Sequence, residues 1–471
     1  MKIHLFLVGM LMSASLAFGA TLDEAKEVFL SGDYEKALPM LEEQYRKNKR
    51  NASVNQWIGV CLYNLGRMDE AKPYFEFAKS KRVTESYKYL ALIDFHNYDF
   101  DEAEEMLGLY AKEMSRLKKD MPADVDAISG SISKAKVMLD HVEKVTIIDS
   151  IVVDKSDFFR NYRLSSSAGS LNGAEALPFK VDEDSMMVVY MPESKASMFW
   201  SQADTAGVRH LYESVELYGG KWDAGRQLPE TVNMDGSSAY PFMMADGLTL
   251  YYANNGKESI GGYDIFISRK DSETGEFYQP QNIGMPFNSP FDDYMLVIDE
   301  FTGAGWWATD RNRIPGKVTI YVYIPNQVRE NYSPDDPNLM SYASIRDISD
   351  TWNGADFSGL LADINSISTI EKKERKDFEF HLTNGVVYTR FDQFKTSEAR
   401  HRMEELMVMI QNQKSDIERL NRLREQYSKV TDVQRGALRG EILRLENKVD
   451  KFFDDRERVE NEIRKLELRN R

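Results

Sequence analysis

The sequence predicts a multidomain α and β chain: an N-terminal α-solenoid, a central β-propeller and a C-terminal coiled-coil helical hairpin. Three observations predict it. An acidic pentapeptide ending in Ala recurs at Ala37, Ala71 and Ala103, strand-like alternation recurs at a longer and nearly constant interval, and heptad-like apolar steps run through 396–471. The divisions that follow are 1–20, 21–142, 143–395 with a connector at 325–340, and 396–471.

Residues 1–20 have Lys2, an apolar run and a small-residue exit at Ala17, Gly19 and Ala20, the profile of a secretory signal. An uncleaved anchor is the other reading, and no Cys follows the run to carry a lipid. The expected destination is therefore the periplasm or the periplasmic face of an outer membrane. Cys61 is the single cysteine, so no intramolecular disulfide can form. A formal net charge of -16 argues against nucleic acid, because phosphate backbones demand clustered Lys and Arg.

From residue 21 to 142 the pattern is helical, and DYEKA, RMDEA and DFDEA are its recurring pentapeptides. In the middle copy Gly59, Ala71, Phe75 and Ala78 occupy the small and large packing positions of such a repeat, with Leu62 where an aromatic is usual. These residues and their spacing resemble the tetratricopeptide repeat, here as three units plus a final helix near 124–141. The resemblance implies a concave groove that receives peptides or other proteins. An ordinary helical bundle is the competing reading.

The run at 145–154 is β-branched and marks the change from helix to sheet, and residues 165–173 compose a loop. Within 239–271, Leu248, Leu250 and Tyr252 share one face of a strand and Tyr263, Ile265 and Ile267 one face of the next. Asp246-Gly247 and Gly261-Gly262 punctuate them. Trp222 and Phe277 are separated by the same interval as Asn233 and Asn288, which sets the period of the repeat. An earlier unit begins at Leu177 and a later one at Tyr294, where Asp299 and Trp306-Trp307 replace Asp246 and Tyr251-Tyr252. About four strands per period suggest propeller blades, and a closed ring takes four to eight of them. Asp246, Gly247, Gly262, Asp264 and Ile265 resemble the TolB-type (PD40, WD40-like) propeller repeat, which implies structural roles at turns and blade closure.

Three prolines mark 325–340 as a connector. In 378–390, Asn384-Gly385 lies between two strand-like runs, a hairpin signal because both residues tolerate positive φ. That hairpin either finishes the ring together with 145–153 or forms a separate module. Beyond it, Met403, Leu406, Ile410, Ile417, Leu420 and Tyr427 form one seam, and Leu438, Ile442, Leu445, Val449, Phe452, Val459, Ile463 and Leu466 a second. Thr431 and Gln434 fit a capping box, so two arms folding back are expected, with a continuous stuttering helix as the alternative.

No catalytic constellation is legible, and no residue is assigned to a cofactor or a metal. The six histidines show no pair at ligand spacing, and neither Gly-x-Ser-x-Gly nor a phosphate-cradling Gly-x-x-x-x-Gly-Lys-Ser/Thr occurs. Asp182, Glu183, Asp184, Asp292, Asp293, Asp299 and Glu300 fit turn chemistry better than acid–base catalysis. Trp306 and Trp307, with Tyr251 and Tyr252, offer an aromatic platform for glycan or peptide, although alternation sends one of each pair into packing. Array followed by propeller is similar to accessory proteins of Gram-negative envelopes. These include a type IX secretion component with a terminal OmpA-like domain, in whose place this chain carries its helical hairpin. The resemblance implies a non-catalytic envelope scaffold or adaptor, with envelope proteins held by the array and the coiled coil, an outer-membrane complex, and oligomers through the coiled coil. The second reading is a glycan- or peptide-binding propeller, or a hydrolase, with its site across the ring.

Overall fold

The computed structural model describes residues 21–181, 186–217, 221–352, 354–366, 378, 380–383, 386–389, 391–429 and 432–468. The expected signal, the carboxylates at 182–184, the Asn384-Gly385 turn and Thr431 lie outside these residues. The chain forms two compact units, Met1–Thr369 and Ile370–Arg471.

The first unit opens with the helices α1 (Leu22–Leu30), α2 (Tyr34–Lys47), α3 (Ala52–Asn64), α4 (Met68–Ser80), α5 (Glu85–His96), α6 (Phe100–Arg116) and α7 (Ala123–Leu139). Side chains start the first three. Thr21 and Glu24 make a reciprocal capping box, and Asp33 and Asn51 accept from the first-turn amides of α2 and α3. Gly59 is required by its neighbour, since a Cβ there would stand 2.7 Å from the Phe75 ring. With Ala71, Phe75 and Ala78 fully buried, α3 and α4 close to a distance that larger residues would forbid.

Sheet structure begins at β1 (Thr146–Asp154), which waits for a partner far along the chain. The first sheet takes β2 (Ser170–Asn172), β3 (Val189–Met191), β4 (Ser197–Ala203) and β5 (Arg209–Leu217), with the stubs β6 (Lys221–Trp222) and β7 (Arg226–Gln227) pairing with β5. The second is β8 (Ser238–Met243), β9 (Thr249–Asn254), β10 (Asp264–Arg269) and β11 (Gln281–Asn282). The third is β12 (Asp293–Asp299), β13 (Ala304–Thr309) and β14 (Lys317–Ile324), completed on its outer side by β1.

The longer sequence period is structural. Asn233 and Asn288 each clamp a residue of the preceding sheet through both backbone groups: Leu211 N–H and Ile265 N–H donate to their carbonyls at 2.7 Å, and their amides donate back to Leu211 O and Ile265 O. Tyr240 and Met295 both take φ of 53° beside a bulge, in β8 and β12.

No closed propeller forms among the described residues, and the expected ring is corrected to three stacked antiparallel sheets. The faces that would receive further blades are already covered. The far side of the first sheet, with Met187, Val189, Met198 and Trp200, packs with Leu177 and Phe179 of its own upstream chain. The far side of the third shares its core with Phe158, Phe159 and, on the helix α9 (Ser358–Ser366) that follows the short α8 (Leu339–Ser344), Ile364. The 325–340 segment runs beside the array: Tyr332 N–H donates to Val142 O, and the Tyr332 ring stacks at 4.0 Å on Tyr342 of α8.

In the second unit β15 (Phe380–Thr383) and β16 (Val386–Tyr388) pair only with each other among the described residues. They share a core with α10 (Ser397–Lys429) and α11 (Asp432–Leu468), so this hairpin completes no ring and the division expected at 395/396 cuts through one core. Ion pairs Arg402–Glu462, Asp416–Lys448 and Arg424–Glu446 run in opposite chain directions, which makes the two arms antiparallel. Glu467, near the end of α11, accepts from Lys395 N–H at 2.7 Å, from Thr396 N–H and hydroxyl at 3.2 Å, and from Tyr388 OH at 3.2 Å.

Candidate functional site

Helices α1, α3 and α5 of the array repeat an aromatic contact. Phe29 of α1 meets Trp57 of α3 at 5.9 Å, and Tyr63 of α3 meets Tyr89 of α5 at 5.3 Å. The step from Phe29 to Tyr63 equals that from Ala37 to Ala71, and the step from Trp57 to Tyr89 equals that from Ala71 to Ala103. Lys26 Nζ lies 5.9 Å from the Trp57 ring, so the first rung carries a cation at its surface. All four rings are half-buried, which leaves edge and face for a ligand. Sequence reasoning missed this ladder; the signal that marks it is the repeat interval applied to aromatics.

Gln56, Val60 and Tyr63 stand at i, i+4 and i+7 on α3, hence on one helix face. Gln56 is 6% exposed, and among the described residues neither atom of its amide finds a partner. Leaving such an amide unmatched costs about 1–3 kcal/mol, which a water or the backbone of a bound chain would recover. At the far end the face meets the sheets. His96 Nδ1–H donates to Leu92 O (2.6 Å), and the ring packs 4.9 Å from Phe291, whose ring Arg313 also covers at 5.6 Å. Burial first, then the nearby Arg313 cation, pushes His96 down to about 4, so it sits there neutral. Arg313 also donates to Asn97 Oδ1 at 3.2 Å, which ties the turn after α5 to the β13–β14 loop.

Chemistry of the covalent kind is poorly served here. Burial pushes the Cys61 thiol up to about 12 and the Tyr63 phenol likewise, so neither offers an anion at neutral pH. Among the described residues no group of three His, Cys, Asp or Glu side chains has a metal-holding arrangement.

The residues singled out from the sequence fall into three places. Gly59, Ala71, Phe75 and Ala78 meet between α3 and α4 behind the ladder. Asp246 and Gly247 make the β8–β9 turn, the carboxylate accepting from Leu248 and Thr249 N–H at 2.8 Å while Gly247 takes a φ of 66°. Gly262, Asp264 and Ile265 open β10. A Cβ on Gly262 would lie 1.9 Å from Asp292 Oδ1, and Asp264 is sealed under Ile260 N–H (3.0 Å) and Asn282 Nδ2 (2.7 Å). The Trp306–Trp307 platform is overturned. Trp306 is 1% and Trp307 0% exposed, on opposite faces of β13 and in different cores, because both faces of that sheet are covered.

A tetratricopeptide-repeat family model matches residues 28–76, the span that holds Phe29, Trp57 and Tyr63. Comparison with curated proteins and with solved structures returns no match.

Proposed function

We propose that the protein is a non-catalytic scaffold or adaptor of the cell envelope, exported by residues 1–20 and holding other envelope proteins through its helical array. One observation carries the reading: the span matching tetratricopeptide repeats also supplies Phe29, Trp57 and Tyr63, three of the four rings of the half-buried ladder. Such repeats generally mediate protein–protein interaction. A polypeptide laid along α1, α3 and α5 would stack on Trp57 and Tyr63. Kinship of the three sheets with TolB-type propellers, and of the whole with secretion accessories, belongs to the same proposal and rests on the longer sequence period. The sheets then serve as a platform against which His96, Phe291 and Arg313 brace the array.

Crosslinking in intact cells tests it, with partner peptides mapped by mass spectrometry onto the chain. Crosslinks concentrated at Lys26, and lost at least fivefold in a Trp57→Ala, Tyr63→Ala double variant that still folds, are the expected outcome. Partners recovered undiminished from a chain lacking residues 21–142 would sink the reading.

A further inference from the structure

The three sheets of the first unit differ in their outermost strands, and two of the three are blunted by brevity. The first ends in β6 and β7 and the second in β11, two residues each, whereas the third ends in the nine-residue β1. The parity of its ladder is readable. Lys155 N–H donates to Gly316 O at 3.0 Å, and alternation therefore gives the bonds toward β14 to Val153, Ile151 and Asp149. Ser150, Val152 and Asp154 turn their backbone groups outward.

The upstream part of this edge is capped by the chain itself. Ile147 N–H donates to Thr351 Oγ1 at 3.0 Å and Ile147 O accepts from Trp352 Nε1 at 2.7 Å, while Ser150 N–H folds onto Asp149 Oδ1 at 2.8 Å. From Ser150 O to Asp154 no such cap is present among the described residues. Val152 is 50% exposed, and Ser150 and Asp154 are exposed as well.

We propose that this edge pairs antiparallel with the same edge of a second copy of the chain, about a two-fold axis at Val152. The edge is self-complementary in that register. Val152 faces Val152 of the second copy and exchanges two backbone bonds with it, and Asp154 N–H reaches Ser150 O on either side, about four bonds in all. Ile151 stands opposite Val153, the Ser150 hydroxyl opposite the Asp154 carboxylate, and Asp149 opposite Lys155, so apolar meets apolar, donor meets acceptor and anion meets cation. Within each copy Lys317 Nζ already holds Asp154 at 2.7 Å and Lys155 Nζ lies 3.1 Å from Asp310, so the flanking charges stay balanced when the copies separate. The result is one continuous sheet, twice the width of the four-stranded sheet in either copy. Pairing of this edge does not depend on what the helical array binds.

Sedimentation velocity of the full chain, carried into high-micromolar concentration, tests it with two variants. Val152→Pro deletes an outward N–H and leaves the bonds to β14 in place, and Val152→Asp sets two carboxylates against each other at the axis. The expected result is a monomer–dimer equilibrium whose dissociation constant rises at least tenfold in both variants, with unchanged circular dichroism and melting temperature. A wild-type chain that stays monomeric overturns the proposal. So does a dimer that persists in both variants, and one that vanishes only when residues 396–471 are removed assigns association to the helical hairpin instead. Should Val152→Pro alone unfold, Val152→Asp decides.

Discussion

The second and third sheets are two copies of one unit with different endings. They share the Asn233 and Asn288 clamps, the left-handed Tyr240 and Met295, and strands β9 and β13 that begin one period apart, at Thr249 and Ala304. They differ at the outer strand. The second sheet closes with β11, which follows β10 directly in the chain, and the third with β1, whose Asp154 pairs with Lys317 across the whole of the first two sheets. The lesson is that a repeat specifies inner strands by local pattern, whereas the outer position goes to whichever segment fits the open edge.

Matched substitutions in the two copies sharpen this. Trp306→Ala should cost about 3–5 kcal/mol in chemical denaturation, because a fully buried indole leaves a cavity; Tyr251→Ala, the half-buried counterpart, should cost clearly less. Equal losses would mean the copies are packed alike. A pH titration of stability separates the buried carboxylates. Burial pushes Asp264 of the second sheet up to about 8, with an amide rather than a cation, Asn282, at its side, while Asp293 of the third, raised to about 6, has Arg311 at 2.7 Å. A carboxyl raised in the folded state holds a proton that the unfolded chain has released, so stability is full below about pH 4 and falls as pH climbs toward 8. Asp264→Asn should remove that decline, on the order of a few kcal/mol, and a slope unchanged in the variant would place its origin elsewhere. The turn carboxylates give the smallest contrast. Asp299 accepts from Ser165 N–H (2.7 Å) and hydroxyl (2.8 Å) as well as from Phe301 N–H (3.1 Å), and it is buried; Asp246 serves its own exposed turn. Asp299→Ala should cost about 2 kcal/mol and Asp246→Ala about 1 kcal/mol, read from thermal unfolding.

Local periodicity made the array legible. Gly59, Ala71 and Phe75 lie within one repeat and resemble its packing positions, and in the structure Gly59 and Phe75 meet. The ladder rings obey the same spacing, and aromatics at helical spacing read as core. The recurrence of strand positions was likewise in the sequence. Closure was not, because it depends on what covers the far face of a sheet: Phe158 and Phe159 do so in the third, and no periodicity announces them. Trp306 and Trp307 misled for the same reason, as alternation assigns two faces without saying whether either meets water. For 378–390 the hairpin signal was local and correct in kind, but its neighbours, Met403 and Ile463 among them, come from helices that the hairpin pattern does not mention.

Glu467 has a consequence for anyone handling this molecule. A single carboxylate at the close of α11 gathers the amides that begin α10, so the two far ends of a long helical pair are knotted at one point. A stop codon two or three positions upstream would spare every seam residue up to Ile463 and still release the start of α10, Thr396 and the β16 tyrosine together. Affinity handles and fluorescent fusions are therefore better joined after a spacer than butted against this last turn.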